Sequence, residues 1–240
     1  MNFWKTAACW AVTGLTTGLL LFALCSPGRA DVAAEEPKYV ALTFDDGPKG
    51  KITETLLDGL KERGVHASFF LIGNLAEQYP ELVRRMAREG HQIGLHSYDH
   101  LAPLTGITRA EYDRQIGQSR TIIQNILGGE REMMLRPPYG QVDDNLRSWC
   151  GCPMVLWSVD PEDWYYQDPG REIESVCSAA CDGAIILLHD TFPETVEAAL
   201  EIIDRLHQEG YYFVTVEELL RLNGVEPQAG VCYYSAGQWK

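Results

Sequence analysis

Apolar positions along the chain switch between two periods. Tyr39-Val40-Ala41-Leu42-Thr43-Phe44 is a short, largely apolar run rich in β-branched and aromatic residues that stops at the breakers Asp45-Asp46-Gly47-Pro48, which predicts a strand followed by a loop. Ile52, Leu56, Leu57 and Leu60 then recur at helical spacing up to Arg63-Gly64, and His66 to Ile72 is a second apolar run. The β-α-β order continues. Helices are predicted over 80–89, 108–127, 142–149, 171–180 and 193–208, and strands over 92–95, 133–135, 154–159, 184–188 and 212–215. About seven strands alternating with helices predict one α/β domain with a parallel sheet, either a barrel or an open sheet. Residues 223–240 lose the periodicity and are expected to form a surface tail pinned by Cys232.

The first thirty residues follow a different pattern. No charge falls between Thr6 and Gly28, Leu15, Leu19, Leu20, Leu21, Phe22 and Leu24 are apolar, and Lys5 supplies a positive flank. Residues 1–30 read as an export segment, either a signal peptide cleaved after Gly28-Arg29-Ala30 or an uncleaved N-terminal membrane anchor. In both cases the rest of the chain is extracytoplasmic, secreted or held at the outer face of the membrane. Residues 31–38 read as a spacer.

Composition narrows the choice of partner. Residues 31–240 hold 18 basic and 34 acidic side chains, a formal charge of −16. That excess disfavours nucleic acid and gives no electrostatic help with an anionic polymer, so ligand recognition is expected from stacking and hydrogen bonds. A monomer is expected. Five cysteines follow the export segment, Cys150, Cys152, Cys177, Cys181 and Cys232, and an oxidising compartment predicts one or two disulfides with a spare thiol.

In parallel α/β folds the working groups sit in loops beyond the C-terminal ends of strands. Five polar clusters do so: Asp45-Asp46, His96-Ser97-Tyr98-Asp99-His100, Arg136-Pro137-Pro138-Tyr139-Gly140, Asp160-Pro161-Glu162-Asp163-Trp164 and His189-Asp190. His96 and His100, four apart, predict two imidazoles on one side of a helical turn, where a divalent ion would also take Asp45 or Asp46. The neighbouring carboxylate is then free to accept a proton from water. The blander alternatives are a solvated Asp-Gly turn and a histidine that caps a loop. His189 closes an apolar strand, where a core histidine is the default, but its place at the strand end points to the mouth. His66, His91 and His207 are assigned no role.

These clusters, in this order, resemble the five motifs of the NodB-homology polysaccharide deacetylases, carbohydrate esterase family 4. Thr43-Phe44-Asp45-Asp46-Gly47-Pro48, His96-Ser97-x-x-His100, Arg136-Pro137-Pro138-Tyr139-Gly140, Asp163-Trp164 and Leu187-Leu188-His189-Asp190 carry the match, which spans 39–222. The resemblance implies a deformed (β/α)7 barrel. It implies Asp46, His96 and His100 as ligands of a divalent metal, Zn2+ first, with Co2+ or another ion as alternatives. It implies Asp45 as general base held and kept ionised by Arg136, and His189 as general acid supported by Asp163. The Tyr139 backbone N–H would stabilise the oxyanion, while Trp164 and Leu187 would enclose the acetyl methyl. Leu95 departs from the pattern, since many relatives carry Asn there. The implied activity is removal of N-acetyl groups from N-acetylglucosamine in an extracytoplasmic glycan, peptidoglycan first, then chitin oligomers or an exopolysaccharide. An acetylxylan esterase has the same site, and an inactive glycan-binding domain is the reading from another class.

Overall fold

The computed structural model describes residues 36–239, so residues 1–30, with Cys9 and Cys25, and most of the spacer lie outside the described residues. From Glu36 onward the chain forms one compact unit. At its centre is β1 (Lys38–Asp45), buried from Val40 to Asp45. A strand covered on both faces reads as a continuous apolar run, which is why the pattern here does not alternate. β1 pairs in parallel with β2 (Ser68–Leu71) on one side and β5 (Ile185–His189) on the other. β2 continues to β3 (Gln92–Leu95), and β6 (Tyr211–Phe213) joins the first half of β1.

Past β3 the ring thins. Leu95 bridges to Leu135, Leu135 to Met154 of β4 (Met154–Val155), and Val159 to Ile186 of β5. The fold is therefore the deformed (β/α)7 barrel that the sequence motifs implied. Two of the seven expected strands are reduced, 133–135 to a single bridging residue and 154–159 to a two-residue strand plus Val159.

The helices pack outside, from α1 (Gly50–Arg63), α2 (Gly73–Gln78) and α3 (Pro80–Arg88) to α4 (Arg109–Tyr112), which runs through a π-helical turn into α5 (Gln118–Leu127). α6 (Asp144–Trp149), α7 (Asp163–Tyr166), α8 (Pro169–Ala179), α9 (Pro193–Gln208) and α10 (Val216–Leu222) follow. α9 starts at a proline, whose fixed φ suits a first helical turn, and buries Val196, Ala199, Ile203 and Leu206 at helical spacing. Each such buried aliphatic side chain contributes about 1.5–3 kcal/mol. No helix among the described residues is long and apolar enough to cross a membrane.

The C-terminal segment differs from the expected tail. β7 (Cys232–Ser235) pairs in parallel with β4 and turns back into β8 (Gln238–Trp239), and Ser235 bridges to Ala184 at the entrance to β5. With Tyr233 buried, the segment supplies ladder partners that the short β4 lacks, so strand pairing holds it in place. The five described cysteines are all free thiols, in contrast to the expected bridges. The Cys150 thiol donates to the Cys152 carbonyl at 3.2 Å instead of bonding to sulfur, and Cys232 is buried in β7.

Candidate active site

Register brings the two ends of the site together. Asp45 is the last residue of β1, and its Cα partner across the ladder is His189, the last residue of β5. With Asp46, His96, His100, Tyr139, Trp164 and Leu187 they line one cleft of about 350 Å³. Arg136 and Asp163 lie behind it, fully buried, each against one of the two facing groups. All ten residues singled out in the sequence thus meet at one mouth.

On the Asp45 side, Arg136 donates from Nη1 to Asp45 Oδ1 at 2.8 Å and to the Thr43 hydroxyl at 2.7 Å. Its Nη2 and Nε reach the carbonyls of Leu156 and Val155, and its guanidinium lies 4.3 Å from the centre of the Phe70 ring. Burial has the larger influence on Asp45 and raises its pKa, against the pull of Arg136 and His189. Burial thus works against the expectation that Arg136 keeps Asp45 ionised: the carboxyl is held in place by the arginine, yet lifted above the ordinary carboxylate value.

Arg136 has a second task. Its carbonyl oxygen accepts the Nδ1–H of His96 at 2.7 Å, which leaves Nε2 as the bare nitrogen of that ring. Burial lowers the His96 pKa to about 3, outweighing Asp46, so the ring is neutral, the form that binds metal. His96 Nε2 and His100 Nε2 lie 3.4 and 3.6 Å from the same atom, Asp46 Oδ1. That oxygen is buried and has no hydrogen-bond partner. Ligands of one zinc at the usual ~2.1 Å stand roughly 3.4 Å apart in a tetrahedron, so the three donors fit a divalent cation. No other His, Cys, Asp or Glu group among the described residues converges in this way.

The loop carrying the two histidines is not the helical turn that their spacing suggested. Ser97 (φ 83°) and His100 (φ 54°) are left-handed, and the Ser97 hydroxyl accepts the His100 N–H at 3.1 Å. Backbone bonds from Gly73 to Ser97 and from Asn74 to Tyr98 tie this loop to the start of α2. Asp46 (φ 69°) and Tyr139 (φ 59°) are left-handed as well. Such backbone costs roughly 1–3 kcal/mol per residue and persists only where the surroundings enforce it, which is characteristic of working sites. Gly140 (φ 64°) beside Tyr139 has a packing reason too, because a Cβ there would lie 2.9 Å from the Trp157 ring.

On the other side, Asp163 accepts from His189 Nδ1 at 2.8 Å, from the His189 backbone N–H at 2.7 Å and from the Thr195 hydroxyl at 3.1 Å. Burial opposes the imidazolium, but the hydrogen bond and charge of Asp163, helped by Asp45, outweigh it and lift His189 to about 9. His189 is therefore charged at neutral pH, with Nε2–H as its remaining donor.

Trp157, Pro137 and Asp160 also line the cleft; Pro137 and Asp160 lie in the polar clusters marked by the sequence, where they carry no assigned role, whereas Trp157 is not marked at all. Trp157 sits where β4 has already ended, so strand alternation did not predict its direction. Thr43, which lies in the first motif without an assigned role, and Thr195, which no local pattern marks, act through tertiary contacts. Glu172 had a signal: it shares a buried face with Ile173 and Val176 on α8, an odd place for a carboxyl. His91 accepts the Ala67 N–H, and burial lowers its pKa to about 4.

The chain matches the polysaccharide deacetylase family over residues 33–150. It is 42% identical over 182 residues to the peptidoglycan-N-acetylmuramic acid deacetylase PdaC of Bacillus subtilis, covering 76% of this chain and 38% of that one. The solved PdaC structure superposes with a TM-score of 0.76, at 41% identity over 79% of this chain and 93% of the solved one. A peptidoglycan-N-acetylglucosamine deacetylase of Bacillus cereus is 38% identical over 76% of this chain and 68% of its own length. A family 4 acetyl xylan esterase from Clostridium thermocellum, solved with a cobalt ion, gives a TM-score of 0.77 at 33% identity, over 82% of this chain and 98% of that one. The chain spans about two fifths of the length of the first of these relatives. With these motifs, this fold and this similarity, the chain belongs to the carbohydrate esterase 4 family of NodB-homology polysaccharide deacetylases.

Proposed function

We propose that this protein hydrolyses N-acetyl groups on N-acetylglucosamine residues of an extracytoplasmic glycan, with peptidoglycan as the first substrate. The carrying observation is the convergence of three metal-type donors, Asp46, His96 and His100, between a carboxyl held by a buried arginine and an imidazole held by a buried aspartate. The relatives named as peptidoglycan deacetylases support the polymer.

Asp46, His96 and His100 would hold the divalent cation, Zn2+ first. When bound, it supplies Lewis acidity toward the acetamide carbonyl and lowers the pKa of water. The chain does the rest. Asp45 accepts the proton of the attacking water, and Arg136 fixes the carboxylate oxygen that is not receiving it. His189 delivers its Nε2 proton to the departing nitrogen, so that acetate and a free amine leave. Asp163 holds the ring by Nδ1 throughout. The Tyr139 backbone N–H is assigned to the developing oxyanion, and Trp164 and Leu187 to the walls around the methyl group. An amine is a poor leaving group unless protonated, so a histidine lifted to about 9 suits an amide better than an ester demands.

The test is acetate release by the Zn2+-loaded protein from peptidoglycan, N-acetylglucosamine oligomers and acetylxylan. Release from the first two is expected. Release from acetylxylan alone would overturn the amide assignment in favour of an esterase. The protein acts as a monomer and binds no nucleic acid on this reading. Export rests on residues 1–30, and N-terminal sequencing of the extracytoplasmic protein separates a start at Asp31 from an intact membrane anchor.

A further inference from the structure

Two more left-handed residues outside glycine, Glu162 (φ 59°) and Gln167 (φ 48°), bracket the single turn of α7. That turn sends consecutive side chains in different directions. Asp163 points inward to His189, and Trp164 forms part of the cleft wall while remaining 52% exposed. Tyr165 and Tyr166 follow at 68% and 44% exposure. The three rings follow one another edge to face, with centroids 5.7 Å apart and planes at 64° from Trp164 to Tyr165, and 4.8 Å apart at 87° from Tyr165 to Tyr166. Arg171 stacks 3.5 Å from the centre of the Tyr166 ring while pairing with Glu162, which fixes the outer end of the row.

Exposed apolar side chains are concentrated here. Of the eight large ones among the described residues, Leu101, Tyr139, Trp164, Tyr165 and Tyr166 belong to three segments, two loops and α7, that also carry site residues, while Tyr212, Leu222 and Trp239 lie elsewhere. A contiguous exposed aromatic row at the rim of a cleft is a binding surface by default. Its continuity with the cleft through Trp164 identifies the occupant. A cleft of about 350 Å³ is sized for one reacting sugar, so the next residue of a polymer must lie outside it. A pyranose ring offers a C–H face to an aromatic ring and hydroxyls to its polar edge, and tyrosine provides both at little conformational entropy.

We propose that Tyr165 and Tyr166, set at right angles, form a subsite that takes the neighbouring pyranose ring of the glycan chain, stacked on the more exposed Tyr165 and flanked by Tyr166, next to the sugar held in the cleft. The subsite rests on the glycan reading given above. Because Asp163 shares the turn, the element that grips the chain also positions the proton donor.

Titration calorimetry with the N-acetylglucosamine monomer and the β-1,4-linked pentamer tests it on the intact protein, with thermal unfolding as the check on folding. The double substitution Tyr165→Ala and Tyr166→Ala should lower the pentamer-to-monomer affinity ratio about tenfold. Tyr165→Phe with Tyr166→Phe, which retains both faces, should preserve it. An unchanged ratio in the folded alanine variant, or loss of the ratio in the phenylalanine variant, overturns stacking at these residues. Failure of the functional reading is separate, since it shows as no acetate release by the unsubstituted protein whatever the ratio.

Discussion

The two flanks of the cleft solve one problem with opposite charges. On the first, a buried cation, Arg136, holds a carboxyl, Asp45. On the second, a buried anion, Asp163, holds an imidazole, His189. The first flank is anchored by backbone: Arg136 is tied to two carbonyls and a threonine, and its own carbonyl orients His96. The second depends on side chains drawn from α7, β5 and the first turn of α9, with a single backbone bond, from the His189 N–H to Asp163. It also has an ionisable neighbour in Glu172, which burial, with a smaller contribution from Asp163, raises to about 7. The arginine flank is built for position, whereas the histidine flank is built to titrate.

The sharpest break in this comparison lies between the flanks. Removing one metal-type donor by His96→Ala should abolish stoichiometric zinc, read by atomic absorption, and lower acetate release by at least about 10³-fold, more than the loss of either flank's supporting charge. Next in size is Arg136→Leu. It strands the buried Asp45 without its partner and opens the bonds to Leu156 and Val155, a change that costs about 3–5 kcal/mol. Chemical denaturation should show that loss, and activity should fall with it. A variant with near-native stability would mean that the arginine flank is not the rigid one.

Much of this organisation was legible in the sequence. The motif residues mark strand ends, and strand ends in a parallel barrel share one mouth, so the set Asp45, Asp46, His96, His100, Arg136, Asp163 and His189 could be assembled without coordinates. What the sequence lacked was conformation and reach. A four-residue spacing suggested a helical turn for His96 and His100, whereas Ser97 and His100 adopt left-handed backbone that periodicity does not encode. The surface-tail reading failed because a short parallel strand such as β7 leaves almost no pattern, and its partner β4 is only two residues long. The roles of Thr43, Thr195 and Glu172 were not legible because these residues touch the site from behind, through contacts more than thirty residues apart in sequence or from the buried face of a helix.

Asp163→Asn addresses the second flank alone. His189 at about 9 lies above its ordinary value of 6.5, so the stabilisation from Asp163 is fully present below about pH 6.5 and is lost as pH rises through 9. Activity should follow the same proton, with an alkaline limb at or below 9, since a cation at Asp46 repels the imidazolium. The asparagine variant should bring that limb down toward 6.5 and lower the maximal rate by about 10²-fold. A limb that stays in place would remove His189 from the proton-donor role.

Glu172→Gln is the mildest perturbation and the most discriminating. Burial, with a smaller push from Asp163, outweighs the opposing pull of the Thr195 hydroxyl and the Asp168 backbone on Glu172, whose two carboxyl oxygens are both buried. The folded state therefore favours the acid form, and stability falls as pH rises from about 4.5 through 7. Glutamine is neutral at every pH and should flatten that slope, leaving the variant about 1 kcal/mol more stable than the parent at pH 8. Above pH 7 the parent also carries a negative charge near Asp163 that helps retain the His189 proton. Without it the alkaline limb should move down by a few tenths of a pH unit, with the acid limb unchanged. If the slope flattens while the limb stays fixed, Glu172 is a buried carboxyl with no connection to the histidine flank.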